Sequence, residues 1–286
     1  MKNNLKNMLI LLLIVLIIWR RPVIITSIIS AINIWLNSLF PSLFPFLIIS
    51  DLIISTNLIN QIMWLFSPIF NYLFKVSGYG AYVFIMSLIS GCPSNAKYIK
   101  DLLDNQLIKE VEAIKILSMS LLYNPLFILT ITSFLKPIHS WLIIIFNMII
   151  NLIIGLINRR VKCDYQTANF IPKKFNLVDT LNNTINTLLL ILGALVLFIA
   201  ISSLINIDHP LYSGIFEITN GLKKISDLNN DNLKLIFIAI LLSFGGLSIH
   251  LQIKSILKDY KLDYSLFYKS RIIHLILFLL LIYLIT

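Results

Sequence analysis

The chain has 286 residues, of which 58% are hydrophobic and 13% charged, with a formal net charge of +10. A soluble domain carries about 25% charged residues, so this balance excludes a water-soluble globular protein. The basic excess fits cytoplasmic loops and helix ends. It lacks the interleaved exposed aromatics that single-strand binding needs, so no nucleic acid partner is expected.

Continuous Leu- and Ile-rich runs at 141–157, 188–207, 233–247 and 272–285 approach the roughly 20 residues a helix needs to cross a bilayer core. A closed barrel would instead alternate apolar and polar positions. The expected fold is an all-α polytopic membrane protein. Near the N-terminus, Lys2 and Lys6 precede an apolar stretch that ends at Trp19-Arg20-Arg21. With no small-residue cleavage site, it reads as a retained membrane helix.

The next apolar stretch, 23–40, runs into FPSLFPF at 40–46. Pro41 and Pro45 each remove a donor and clash with the preceding turn, which predicts a kink or break. Asp51, the only acidic residue between 23 and 98, reads as a helix-end residue at the water interface; a coupling-ion or proton role is the alternative. The aromatic-rich helix at 61–76 is expected to lie along the membrane surface.

Two polar motifs interrupt the oily chain. The first is SLISGCPSNAKYIKDLL at 87–103, and the second is LLSFGGLSIHLQIKSIL at 241–257. A shift of 154 positions lays Gly91 on Gly245, Ser94 on Ser248 and Lys100 on Lys254. Interrupted hydrophobic segments in two halves point to a solute site in a secondary transporter. Unsatisfied backbone in lipid costs several kcal/mol per group, so such breaks belong where protein or water surrounds them.

In the first motif Gly91 and Pro93 stop a helix, and Ser94 and Asn95 are placed to cap the next one. That helix N-terminus would favour an anion, and Lys97, one turn in, adds a positive charge; an ordinary surface loop with snorkelling lysines is the competing reading. In the second, Gly245 and Gly246 make the break. Ser248 and Gln252, four apart, share a helix face. His250 either serves an anion or proton, or packs against a neighbouring helix. Asn124-Pro125 breaks a further apolar run, as a substrate contact or a structural kink.

The expected organisation is two structural repeats, about 23–158 and 180–286, joined by a basic cytoplasmic linker at 159–179. Whether the repeats are inverted is left open, and 209–232 reads as an extramembrane or interfacial loop. Cys92 and Cys163 form no CxxC, so neither zinc nor a disulfide framework is expected. Metalloprotease, serine-hydrolase and Walker motifs are missing. The expectation is no enzyme, no cofactor and no metal, with any active transport driven by an ion or solute gradient.

The segments PSLFPFLIISDLI, SLISGCPSNAKYIKDLLDNQLI, LYNPLFI and FGGLSIHLQIKSIL resemble the YlbJ family of sporulation integral membrane proteins, within the wider nucleoside-recognition or Gate domain proteins. The resemblance runs from about Trp35 to the C-terminus. It implies broken helices and helical hairpins related to those of concentrative nucleoside transporters. It also implies a multi-pass protein of the bacterial membrane, the outer forespore membrane in a spore former, that moves a dipicolinate-like dicarboxylate. The expected function is therefore a permease for a small polar, anionic solute, hydrogen-bonded by Ser94, Asn95, Ser248 and Gln252 and charge-balanced by Lys97 and His250. Its partners would be the solute, the bilayer, a coupling ion and an accessory sporulation protein. A nucleoside or nucleobase carrier and a non-transporting membrane scaffold are the alternatives.

Overall fold

The computed structural model describes residues 2–56, 58–163, 175–206 and 208–285, with backbone alone for 2–6, 9–10 and 12–13. It is 81% helical. Linker residues Asp164, Lys173 and Lys174 lie outside the described set.

The chain opens with α1 (Lys2–Trp19) and α2 (Arg21–Ile34), then one π turn (Trp35–Leu39) and α3 (Phe40–Ser55). From Arg21 to Ser55 the helix is continuous, so of the expected kink or break there is no break, only a local change of winding. The π turn is the reason. The Phe40 N–H reaches back to the Trp35 carbonyl, and the wider turn makes room for the Pro41 ring where an α turn would clash.

Next come α4 (Leu58–Phe74), α5 (Gly78–Ser90) and α6 (Ser94–Asp104), then α7 (Glu110–Met119), α8 (Pro125–Ile131) and α9 (Pro137–Asn158). After the linker follow α10 (Leu177–Leu204), α11 (Pro210–Phe216), α12 (Ile218–Ile225), α13 (Asp231–Phe244), α14 (Gly246–Ile256) and α15 (Ser265–Tyr283). Five helical segments among the described residues are long and apolar enough to cross a membrane, and the bent pair α4–α5 could make a sixth. The protein is thus a polytopic membrane protein. Exposed Ile272, Ile276 and Leu280 on α15 recur every four residues, a stripe that suits lipid and would be a liability in water.

Polar contacts between distant residues sort the helix ends into two groups. At the linker end, Lys115 donates to the carbonyls of Lys75 and Val161 at 3.0 and 2.9 Å. There the Ser77 N–H meets the Glu112 carboxylate at 2.6 Å, the Lys261 N–H meets Glu110 at 3.2 Å, and the Tyr260 hydroxyl bonds Asp104. At the far end, Arg20 donates to the Leu204 carbonyl at 3.0 Å, Lys224 pairs with Asp208 at 3.2 Å, and Lys234 sits over the Phe134 ring.

These contacts define two hairpins. Both ends of α5–α6 lie beside the first turn of α7, so this pair enters from the linker end and returns to it. Both ends of α11–α12 are tied by the Lys224–Asp208 pair at the far end. A Cβ on Gly221 would come within 2.3 Å of the Gly214 backbone, so glycine there allows the two short helices to touch. The segment expected as a loop at 209–232 is therefore a buried hairpin; Ser213, Glu217, Ile218, Leu222 and Ile225 are all buried.

Two further helical segments are broken midway: α7 and α8 around 120–124, and α13 and α14 at Gly245, the latter long and apolar enough to cross a membrane. The two polar motifs thus serve different elements. Gly91–Pro93 is the tip of a hairpin, whereas Gly245–Gly246 interrupts a crossing helix, and the 154-residue register does not equate like with like. Helix α4 turns by 102° from α5 and lies across the linker end, where Arg159 reaches the Tyr72 carbonyl.

Candidate solute site between two hairpin tips

Gly91 ends α5 with φ 79° and ψ −178°, a conformation essentially reserved for glycine. The chain then docks on the break of the neighbouring helix: the Cys92 N–H donates to the Leu122 carbonyl at 2.7 Å. Asn95 seals the same contact by donating to the Ser120 carbonyl at 3.1 Å. Pro93, not Ser94 or Asn95, holds the N-cap position of α6, and no side chain caps that helix.

Asn124 caps α8, its Oδ1 accepting from the Leu126 N–H at 2.8 Å. Its amide nitrogen has no protein acceptor. The Tyr123 hydroxyl crosses to the Leu242 carbonyl at 2.9 Å, tying the break of α7–α8 to the end of α13. Gly245 and Gly246 both have positive φ, and a Cβ on Gly246 would meet the Gly214 carbonyl at 3.1 Å and the Ile218 nitrogen at 3.2 Å. The second break therefore seats the tip of α11–α12.

One cavity of about 40 Å³ lies where all four features meet. Its walls include Ser90, Cys92 and Pro93 from the first tip, Tyr123 and Asn124 from one break, Glu217 and Thr219 from the second tip, and Gln252 from α14. That volume holds a few waters, since one needs roughly 10–15 Å³ measured this way. Toward the far end a cleft of about 400 Å³ shares Ser42, Phe127 and Thr219 with the cavity as a partition. Toward the linker end a cleft of about 250 Å³ is bounded by Lys97, Asp101, Asn186 and Ser255. Residues 190–191 of α10 and 252–255 of α14 run from this cleft to the cavity.

Of the expected site residues, Pro93, Asn124 and Gln252 face the cavity, and Gln252 bonds Ser248 at 3.0 Å along their shared face. Ser94, Asn95 and Ser248 are buried beside it but are absent from its lining. Gly91, Gly245 and Gly246 shape the backbone. Lys97 and His250 do not face it. Lys97 is ion-paired to Asp51 and, at 3.1 Å, to Asp101. Asp51 is therefore a partner of the first hairpin, not the helix-end residue expected at the water interface. His250 bonds the Phe244 carbonyl at 2.8 Å and sits among the rings of Phe244, Phe267 and Tyr268.

Sequence reasoning missed Glu217, the acidic side chain that faces the cavity. Its carboxylate accepts from the Thr219 hydroxyl and, at 2.8 Å, from the Asn220 N–H. The available signal was a single acid inside IFEITNGL, where one face is apolar. Also missed was a buried polar ladder, with Asn158 bonded to Ser118 and Ser270, and His274 to Ser243. Among the described residues no group of three or more His, Cys, Asp or Glu side chains could hold a metal ion.

No family model matches the chain, and no solved structure does. Among curated proteins, the sporulation integral membrane protein YlbJ of Bacillus subtilis (strain 168) is 26% identical over 297 aligned positions, covering 85% of this chain and 73% of that protein. The chain is therefore a multi-pass membrane protein similar to a sporulation integral membrane protein.

Proposed function

We propose that this protein is a secondary-type permease for a small polar organic solute in a bacterial membrane, acting in sporulation like the sporulation integral membrane protein it resembles. One observation carries the reading: two hairpin tips and two helix breaks converge on a mostly apolar cavity into which Asn124, Glu217 and Gln252 bring polar groups, with a cleft on either side of it. Irregular backbone at membrane depth is expected where it lines a path for solute. The cavity is too small for an organic solute, so binding requires the tips to part, and closing one partition while the other opens would give alternating access.

Two inverted repeats suit this reading. In the order rod, hairpin, broken helix and closing helix, α3 to α9 and α10 to α15 run in opposite senses, which matches Pro93 to Glu217 and Asn124 to Gly245. Broken helices and helical hairpins are what the resemblance to concentrative nucleoside transporters implies; the inverted order goes beyond it. The basic residues of the linker end favour a cytoplasmic position for it. Gln252, Asn124 and Tyr123 would hydrogen-bond the solute, and Glu217 would balance a coupling cation or proton.

The test is uptake of labelled solutes, dipicolinate and nucleosides in parallel, by proteoliposomes holding the full chain. Saturable uptake is expected for at least one class. Gln252→Leu should reduce it about tenfold or more, corresponding to roughly 1.4 kcal/mol, while leaving the melting temperature nearly unchanged, since the amide bonds only its own helix. A folded, correctly inserted protein that takes up neither class favours the scaffold alternative.

A further inference from the structure

We infer that Glu217 is a proton-binding site, loaded from the far-end cleft through the Thr219 hydroxyl, and that protons drive the solute. The drive rests on the permease reading; the proton site stands on separate observations. Glu217, at the tip of the α11–α12 hairpin, is 3% exposed. Among the described residues that wall the cavity, it alone is an Asp, Glu, Lys, Arg or His, and no cation lies within ion-pair distance of it. Its own hairpin carries Lys224, 3.2 Å from Asp208, and Lys223, which borders the far-end cleft. His209, at the head of α11, lies against the rings of Tyr212 and Phe237. Helix α13 brings Lys234, 3.2 Å from Asp231, and α14 brings His250, which bonds the Phe244 carbonyl. Helix α8 and residues 188–204 of α10 have no charged side chain. Cys92 and Tyr123 wall the cavity as a thiol and a phenol.

An ionised carboxylate buried without a cation is costly, and an acid at membrane depth is expected to be paired or to serve an ion or proton path. The hydrogen bonds suit the neutral acid. The Thr219 hydroxyl and the Asn220 N–H both donate to Oε2, as donors meet the carbonyl oxygen of a carboxyl, and neither reaches Oε1, which can hold the proton. A metal cation would need several free oxygen ligands, and two donor hydrogens already point at Oε2. Thr219 supplies the route. It lines both the far-end cleft of about 400 Å³ and the cavity. A hydroxyl accepts on a lone pair while it donates. Thr219 can therefore take a proton from water in the cleft and pass its own to Glu217. One proton leaves the cleft, one carboxylate becomes a carboxyl, and Thr219 is unchanged. When the partition toward the linker end opens, water that enters the cavity takes the proton away. A solute that binds only beside the neutral acid then moves with the proton.

The test has two arms, both on the full chain. The first is infrared spectroscopy of the purified protein at neutral pH. A protonated-carboxyl band should be present in the wild type and lost in Glu217→Gln, whose amide oxygen still accepts from Asn220. Identical carboxyl bands in the two folded proteins mean that Glu217 is ionised and overturn the inference. The second arm is uptake of labelled dipicolinate and uridine, in parallel, by proteoliposomes with the membrane potential clamped. An inward proton gradient of about two pH units, worth up to about a hundredfold accumulation per proton, should raise wild-type accumulation of the probe that is carried. A rise of at least about fivefold over no gradient is expected, given that tenfold per pH unit is the limit. In Glu217→Gln the ratio should fall to about one at whatever rate remains, and Glu217→Asp, which still titrates, should recover part of it. Wild-type uptake that ignores the proton gradient, or follows a sodium gradient instead, overturns the inference and leaves the permease; this result needs no variant to fold. A gradient response that survives in Glu217→Gln overturns it too. A folded, correctly inserted wild type that carries neither probe removes the permease reading, and the proton drive with it.

Discussion

Lys97→Ala is expected to lower the unfolding free energy by about 3–5 kcal/mol, the cost of breaking a buried ion pair from one side. Lys97 is 5% exposed and joins α6 of the first hairpin to α3 through Asp51, while also holding Asp101 on its own helix. Removing the ammonium leaves two carboxylates close together with no cation between them. The loss should be coupled: Lys97→Ala combined with Asp51→Asn should cost less than the sum of the two single changes, by about 1–3 kcal/mol. Denaturant titration of the purified protein in micelles measures both quantities. A loss below about 1 kcal/mol for the single change would mean that water already solvates the pair. Lys97 would then be free to meet a solute, as its place in the first motif had led us to expect.

Gly91→Ala should be comparably severe, at about 3 kcal/mol or more, because two named mechanisms add. The backbone at φ 79°, ψ −178° is strained for any side chain. A Cβ would also lie 2.5 Å from the Asn124 backbone nitrogen, which cannot rotate away as a side-chain tip can. Seating of the tip on Leu122 and Ser120 would be lost, and uptake with it. Gly193→Ala is the matched control: it lies inside α10 with nothing within 4 Å of an added Cβ, so it should be neutral or stabilise by up to about 1 kcal/mol. Thermal unfolding of both variants decides the matter. If Gly91→Ala melts within a few degrees of the wild type, the hairpin tip is not seated as described.

Local chemistry was legible in the amino-acid order. Long apolar runs with few charges required a helical membrane protein, because no other open structure satisfies its backbone in lipid. The breaks at Gly91–Pro93, Asn124–Pro125 and Gly245–Gly246 could be read because they depend on glycine's allowed angles and proline's missing donor. The shared face of Ser248 and Gln252 follows from helical period alone. The motifs also carried the family resemblance that the curated relative supports.

What the chain does after each break was not legible, and the site depends on it. A helix interrupted by glycine either continues across the membrane or turns back, and the choice is set by partners far away in sequence. Gly91 turns back because Leu122 and Asn124 receive the tip; Gly245 continues because Tyr123 and the α11–α12 hairpin brace the break. The same long-range packing buries Glu217 in a segment whose polar composition reads as loop. It also joins Lys97 to Asp51 across 46 positions and leaves Arg271 buried with most of its donors unmet. Periodicity determined which residues share a face of a helix, while only the tertiary fold decided what that face meets, because burial and charge pairing are properties of two surfaces and not of one.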